Sequence, residues 1–98
     1  MSDKLPKHLW AGKKLEHLRN RLGITQEECA KRSGYNVRAW RRIAAGEMRP
    51  PREKLIQRIL IDCLQLPDLA TVDEVLRFYD YGEVNQEEII NYSLRRSA

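Results

Sequence analysis

Two short helices joined by a tight turn are predicted between residues 25 and 46, and this feature constrains the fold most. Thr25-Gln26-Glu27-Glu28 has the form of a capping box, in which the first and last side chains satisfy free backbone amides at a helix start. Gly34 suits a positive φ in the turn, Asn36 suits the cap of the next helix, and Gly46 ends that helix. Ala30 is small enough for the two helices to approach closely.

Helical patterns recur along the rest of the chain, whereas strand patterns do not. The sequence has no run of alternating β-branched residues and no Asn-Gly or Asp-Gly hairpin turn. A first helix is predicted over residues 11–22, where Leu15, Leu18 and Leu22 share one face, with Gly23 as its left-handed stop. Since helices are the recurring element, we expect an all-α protein, a compact bundle of about five or six helices.

Three further helices are predicted after the loop at residues 47–50. The first has a broad apolar face, with Pro51 at its first position and Pro67 as its end. Capping boxes that begin at Thr71 and Asn85 then open two helices, which run to about residues 81 and 96.

The composition is that of a soluble globular protein, with 42% hydrophobic and 33% charged residues. No apolar stretch approaches the roughly 18 residues of a membrane helix, and the start lacks a secretory apolar core, so we expect a cytoplasmic bacterial or phage protein without a membrane partner. Cys29 and Cys63 fall within apolar helical patterns, which favours buried, reduced thiols. The sequence has no phosphate-binding glycine loop, nucleophile elbow or metal-ligand cluster, so we expect neither a cofactor or metal nor an enzyme.

Positive charge is concentrated in the first part of the chain. Residues 1–58 carry 15 Lys and Arg against 6 Asp and Glu, whereas residues 59–98 carry 3 against 8. A basic first part suggests an anionic partner, and an acidic second part suggests a face directed away from it. An ordinary charged surface would show a similar distribution, so charge alone does not decide between the two interpretations.

Residues 14–66 resemble the phage-repressor and Cro type, or XRE family, of helix-turn-helix DNA-binding domains. The resemblance rests on the joint spacing of Leu18-Arg19, the run from Leu22 to Glu28, Ala30, Gly34, Asn36, Ile43, Gly46 and Pro50. It implies a lambda-repressor-like fold in which the helix at residues 37–45 enters the major groove of double-stranded DNA. It also implies that Gln26 bonds a DNA phosphate and supports this recognition helix, as a helix amino terminus favours phosphate.

The recognition helix divides by face. The resemblance places Trp40 and Ile43 in the core, which leaves the remaining side chains to face the DNA. The predicted base contacts are Asn36, Val37, Arg38, Ala39 and Arg42. Arg38 and Arg42 are the leading candidates, because they lie one helical turn apart and an Arg can donate two hydrogen bonds to guanine.

A second set of side chains is predicted to bind phosphates without reading sequence. Its members are Gln26, Tyr35, Arg41, Arg49, Arg52 and Lys54. Tyr35 is the least specific of these, because it could equally cover the core.

One position departs from the family pattern. Many members pair the Arg at position 19 with a Glu at position 44, but this chain has Ala44. Arg19 therefore either finds Glu47 or another acceptor, or it contacts phosphate, because an unpaired buried guanidinium would be strongly destabilising.

The chain is expected to hold the helix-turn-helix domain at residues 1–66, with its core at 14–66, and a helical extension at 67–98. The apolar stripes of the extension either wrap the core of the same monomer or form a homodimer contact that would pair two half-sites. We expect a transcription regulator, a repressor in the first instance. An antitoxin or interaction module that binds a toxin and regulates its own operon is the alternative, and an RNA-binding or coactivator role is a third.

Overall fold

The structure is a computed structural model, which describes residues 5–66 and 68–97. Within those ranges the chain forms six helices and no strand: α1 (Leu9–Leu22), α2 (Gln26–Ser33), α3 (Val37–Ala44), α4, α5 (Leu69–Phe78) and α6 (Gln86–Ser97). Helix α4 begins as an α-helix at Arg52–Lys54 and continues with the wider π-helical hydrogen bonding over Leu55–Cys63. The all-α prediction is therefore confirmed, including the number of helices.

Several helix boundaries differ from the predictions, among them the end of α5, which lies at Phe78 and not at about residue 81. Helix α1 begins at Leu9, two residues before the predicted start. Pro51 is the cap of α4 and not its first residue. Helix α5 begins before Thr71, because the Asp68 carboxylate caps it by accepting a hydrogen bond from the Thr71 amide at 3.2 Å. Pro67, the predicted end of α4, lies outside the described residues.

The core is continuous from α1 to α6. Leu15 of α1, Ile59 of α4 and Val72 of α5 are completely buried, and they belong to one apolar cluster that also includes Ile89 of α6. Helix α5 packs on α1, where Lys14 and Glu74 form an ion pair at 3.1 Å. The buried side chains of the extension therefore cover the core of their own monomer, which is the first of the two predicted arrangements.

Close backbone contact fixes the end of α3 against the start of α1. A side chain added at Gly12 would meet the backbone carbonyl groups of Ile43 and Ala44. In the same region the His8 amide donates to the carbonyl oxygen of Gly46, which has a φ of 79°. Because neither glycine can gain a side chain without displacing backbone, this crossing sets the position of α3.

The two cysteines meet in the core. Cys29 of α2 and Cys63 of α4 are both fully buried, and both are free thiols. Their prediction as buried, reduced thiols is confirmed. In the described parts of the chain, no helix is both long and apolar enough to cross a membrane.

Candidate nucleic-acid interface

Predicted caps stabilise the starts of α2 and α3. The Thr25 hydroxyl accepts a hydrogen bond from the Glu28 amide at 3.0 Å, and the Asn36 side chain accepts one from the Ala39 amide at 2.7 Å. The Glu28 carboxylate, the other half of the predicted capping box, accepts instead from the Arg32 guanidinium at 2.8 Å. Gly34 adopts a φ of 78°, as the predicted turn requires. Gly34 and the Asn36 cap set the angle at which α3 leaves α2, and so determine which face of α3 is presented outward.

Helix α3 has one buried side and one exposed side. Trp40 and Ile43 are completely buried, which confirms the predicted packing of both side chains. Arg38, Arg41 and Arg42 are exposed on the opposite side. The short helix thus presents three cations on its exposed side, while the apolar residues on its other side pack in the core.

Four of the five predicted base contacts surround one shallow surface depression. Its lining consists of Asn36, Arg38, Ala39 and Arg42. Val37, the fifth, is half-buried and does not line it. The structure therefore brings the amide, the two guanidinium groups and a small methyl group to one place, a combination that can both donate to and contact base edges.

Glu16 of α1 connects α1 to both helices of the motif, and sequence reasoning missed it. Its carboxylate accepts two hydrogen bonds from the Arg19 guanidinium, both at 2.9 Å, one from the Trp40 indole at 2.8 Å and one from the Gln26 amide at 3.1 Å. Arg19 also donates to the carbonyl oxygen of Ile24. Of the outcomes predicted for Arg19, the structure shows pairing with another acceptor, and that acceptor replaces the absent Glu at position 44.

The electrostatics of Glu16 follow from these contacts. Burial would raise the pKa of its carboxyl group, but hydrogen bonds from Arg19, Trp40 and Gln26 outweigh burial and hold it below its ordinary value. The same pairing raises the pKa of Arg19. The carboxylate is therefore charged in the folded protein, and it fixes the indole that anchors α3.

Gln26 connects this network to the exposed face of α3. While its amide nitrogen donates to Glu16, its oxygen accepts a hydrogen bond from Arg41 at 3.3 Å. Arg41 also lies 3.6 Å from the Glu27 carboxylate, and both of those side chains are largely exposed. The support of α3 by Gln26 is thus visible as a contact, whereas phosphate binding by Gln26 and Arg41 stays a prediction.

A cleft beside Arg41 adds polar residues of α1 that sequence reasoning did not select. Lys13, His17 and Asn20 line it together with Gln26 and Arg41. The signal was present as a polar stripe, since positions 13, 17 and 20 fall on one face of a helix. It was not distinctive, because a solvated helix face has the same pattern.

Two other predicted phosphate contacts touch each other. The Lys54 ammonium lies over the ring of Tyr35, 3.9 Å from its centroid. Tyr35 is half-buried against the core, and burial raises the pKa of its hydroxyl group. This pair occupies the turn and the start of α4, so it lies beyond the amino end of α3.

Arg52 contacts the C-terminal segment instead of facing solvent alone. It donates to the Glu88 carboxylate at 2.6 and 3.1 Å and to the Glu83 carbonyl oxygen at 2.8 Å. This bond holds the pKa of Glu88 below its ordinary value. To bind a phosphate Arg52 would have to leave these acceptors, so its predicted role is one that the observed geometry does not favour.

Arg49 is attached to the same segment. It donates to the Tyr79 carbonyl oxygen at 3.1 Å, and its guanidinium lies 4.6 Å from the centroid of the Tyr81 ring. Its side chain is nevertheless exposed. Arg49 can therefore present charge to an anion while it remains in contact with the ring, and phosphate binding by Arg49 stays a prediction.

In the described part of the chain, no group of His, Cys, Asp and Glu side chains could hold a metal ion.

A comparison with known protein families agrees with this geometry. No curated protein and no solved structure matches the chain. Residues 10–88 match the family described as helix-turn-helix domain, a range that includes α5 and extends into α6. Because this range covers most of the chain, the protein belongs to the helix-turn-helix domain family, a class of DNA-binding domains.

Proposed function

We propose that the protein is a sequence-specific, double-stranded-DNA-binding transcription regulator of the phage-repressor and Cro type, and that it represses by occupying a promoter. The observation that carries the proposal is the shallow depression on α3, where Asn36, Arg38, Ala39 and Arg42 meet. Helix-turn-helix proteins insert the second helix of the motif in the major groove, amino end first. The mechanism is binding, with no chemical step.

Base reading is assigned to the exposed face of α3. Arg38 and Arg42 are one helical turn apart, and each can donate two hydrogen bonds to guanine O6 and N7, which discriminates by about 1–3 kcal/mol against other bases. Asn36 keeps its amide nitrogen for a base, because its oxygen caps the helix. The Glu16 network supports this face by keeping Trp40 in a single position.

Phosphate binding is assigned to both ends of the reading face. Gln26 and Arg41 lie on one side, at the amino end of α2, and Tyr35 and Lys54 lie at the turn. Contacts of this kind add affinity and fix register without sequence information. They also make affinity fall with salt, with a logarithmic slope of about −0.9 for each phosphate that is neutralised.

Dimerisation is part of the proposal, because two half-sites raise both affinity and specificity. Ile90 and Leu94 of α6 are exposed and lie one helical turn apart, on a different face from the buried Ile89 and Tyr92. This exposed stripe supports an α6-to-α6 contact between two copies. The same stripe would serve the alternative, in which α6 binds a toxin.

Selection from a random duplex library tests the function. We expect one enriched sequence and a footprint with two half-sites about one helical turn apart. Arg77→Ala is the matched control for Arg38→Ala and Arg42→Ala, because it also removes an exposed Arg but takes it from α5. No enrichment, or preferential binding of RNA in direct competition, would contradict the proposal.

Light scattering tests the dimer separately. The full chain should have the mass of two copies, and Ile90→Asp combined with Leu94→Asp should give a folded monomer. Such a monomer should lose affinity for the two-half-site duplex but keep that for a single half-site. A wild-type monomer that binds a second, different protein stoichiometrically would favour the antitoxin alternative.

A further inference from the structure

The sulfur atoms of Cys29 and Cys63 lie 2.7 Å apart, although 34 positions separate the residues along the chain. The first is on α2 and the second on α4, two helices that pack against each other. A disulfide bond has a sulfur separation of about 2.05 Å, so less than about 1 Å of movement separates the two thiols from a bond. Nothing in the proposed DNA-binding mechanism requires two thiols at this point.

We propose that Cys29 and Cys63 are a redox pair that closes to an intramolecular disulfide and fastens α2 to α4 when the protein meets a small-molecule disulfide such as oxidised glutathione. The chain in the reduced form is the one that the structure describes. The bond would form on the buried side of α2, away from the exposed face of α3.

The exchange needs one oxidant molecule. The Cys63 thiolate attacks one sulfur of the small disulfide, and the other half leaves as a thiolate. The Cys29 thiolate then attacks the Cys63 sulfur and displaces the second half. The protons lost by the two cysteines pass to the two small thiolates, so two protein thiols are oxidised and one small disulfide is reduced.

The order of attack follows from the contact between the sulfur atoms. The contact between the two sulfur atoms lowers the pKa of Cys63, and the same contact together with burial raises the pKa of Cys29. Cys63 is therefore the first thiolate. Arg32 also favours this thiolate by its charge.

Burial controls when the bond forms. Both thiols are fully buried, so an oxidant can reach them only when α2 and α4 separate, or while the chain folds. We therefore expect slow closure in the folded protein and fast closure during refolding. Once closed, the bond restricts the unfolded chain and so raises the unfolding temperature.

Refolding the full chain from urea in mixtures of reduced and oxidised glutathione tests the proposal. Intact mass should show a monomer lighter by two hydrogen atoms, and the unfolding temperature should rise by on the order of 10 °C. Adding a reductant should reverse both changes. This reversal is a control that uses the wild-type chain alone. Affinity for the selected duplex should differ by less than about twofold between the two forms, because the bond forms in the core and away from the exposed face of α3.

Cys29→Ala and Cys63→Ala serve as matched variants, each of which should lose the shift. If either fails to fold, the reversible shift of the wild-type chain still decides the question. Two thiols that stay free at every ratio of glutathione would overturn the proposal, as would persistent mixed disulfides with glutathione or disulfide-linked dimers. A closed bond that leaves the unfolding temperature unchanged would also overturn it.

Discussion

The Glu16 carboxylate accepts a hydrogen bond from the Trp40 indole at 2.8 Å, and this contact joins the first helix to the helix that carries the proposed reading residues. Trp40 is fully buried, so its N–H cannot donate a hydrogen bond to solvent. The contact is therefore structural, and its purpose is to hold α3 at a fixed depth and rotation. Because Arg19 and Gln26 bind the same carboxylate, one side chain fixes all three helices of the DNA-binding unit.

Replacing Glu16 by Ala should destabilise the fold. The change removes the carboxylate that accepts from the buried Trp40 N–H and from two nitrogens of the mostly buried Arg19 guanidinium, which should lower the free energy of unfolding by about 2–4 kcal/mol. Urea unfolding measures the effect. Glu27→Ala is the matched control, because its pairing with Arg41 is largely exposed and should contribute less than about 1 kcal/mol. Equal stability of the two variants would refute the central role of Glu16.

Arg52→Ala should detach the C-terminal segment from the start of α4. The side chain makes two bonds to Glu88 and bonds to two backbone carbonyl oxygens, so its loss should lower the free energy of unfolding by about 1–3 kcal/mol. Arg32→Ala removes a more exposed ion pair with Glu28 and should change the same quantity by about 0.5 kcal/mol or less. A larger loss in the Arg32 variant would contradict this assignment.

The salt dependence of DNA affinity separates an Arg with a structural role from a side chain that contacts phosphate. Lys54→Ala should make the logarithmic dependence of DNA affinity on salt less steep by about one unit, because Lys54 has no anionic partner of its own among the described contacts. We expect a smaller change for Arg52→Ala, whose guanidinium is already neutralised by Glu88. Titrations at several salt concentrations give both slopes, and a larger change for Arg52 would favour its original prediction as a phosphate contact.

Acid should weaken the protein through Glu16 and Glu88. The pKa of each carboxyl group is lowered in the folded state from its ordinary value of 4.5. Each therefore contributes stability that is fully present above the ordinary pKa and is lost as the pH falls from there through the folded-state pKa. Unfolding free energy measured between about pH 6 and pH 3 should fall, and Glu88→Gln should reduce the steepness. A wild-type curve that stays level over this range would contradict the two ion pairs.

Gly12→Ala should disturb the position of α3 directly. The added methyl group would meet the backbone carbonyl groups of Ile43 and Ala44, which cannot rotate away as a side chain can. Overpacking of this kind typically lowers the free energy of unfolding by about 1–3 kcal/mol. Lys13→Ala, at the exposed neighbouring position, is the control and should change stability by about 0.5 kcal/mol or less. Thermal unfolding followed by circular dichroism compares the two.

The local features of the fold could be predicted from the sequence, because short-range rules determine them. Thr25 and Asn36 form the predicted caps, and Trp40 and Ile43 lie on the predicted buried side of their helix. Asp68 was missed as a cap since Thr71, three residues later, offers an equally good pattern. Neighbouring residues thus specify which segments are helical, and which side of each helix is buried, better than they specify where each helix begins and ends.

Long-range polar contacts could not be predicted in the same way. Glu16 meets Trp40 across 24 positions, and Arg52 meets Glu88 across 36. A Glu on a helix surface and an Arg beside a loop are unremarkable in sequence, and only the folded chain shows which partner they reach. For that reason the sequence alone favours a DNA contact for Arg52, where its charge would be equally well placed.

The division of α3 into reading and clamping residues is the central claim, and affinity for the selected duplex relative to a random duplex tests it most directly. Arg42→Ala should lower this ratio by a factor corresponding to about 1–3 kcal/mol, because it loses base contacts. Arg41→Ala should lower the affinity for both duplexes by the same factor and so leave the ratio of the two affinities unchanged. If Arg42→Ala keeps the full preference while Arg52→Ala abolishes it, the reading face has been placed on the wrong residues.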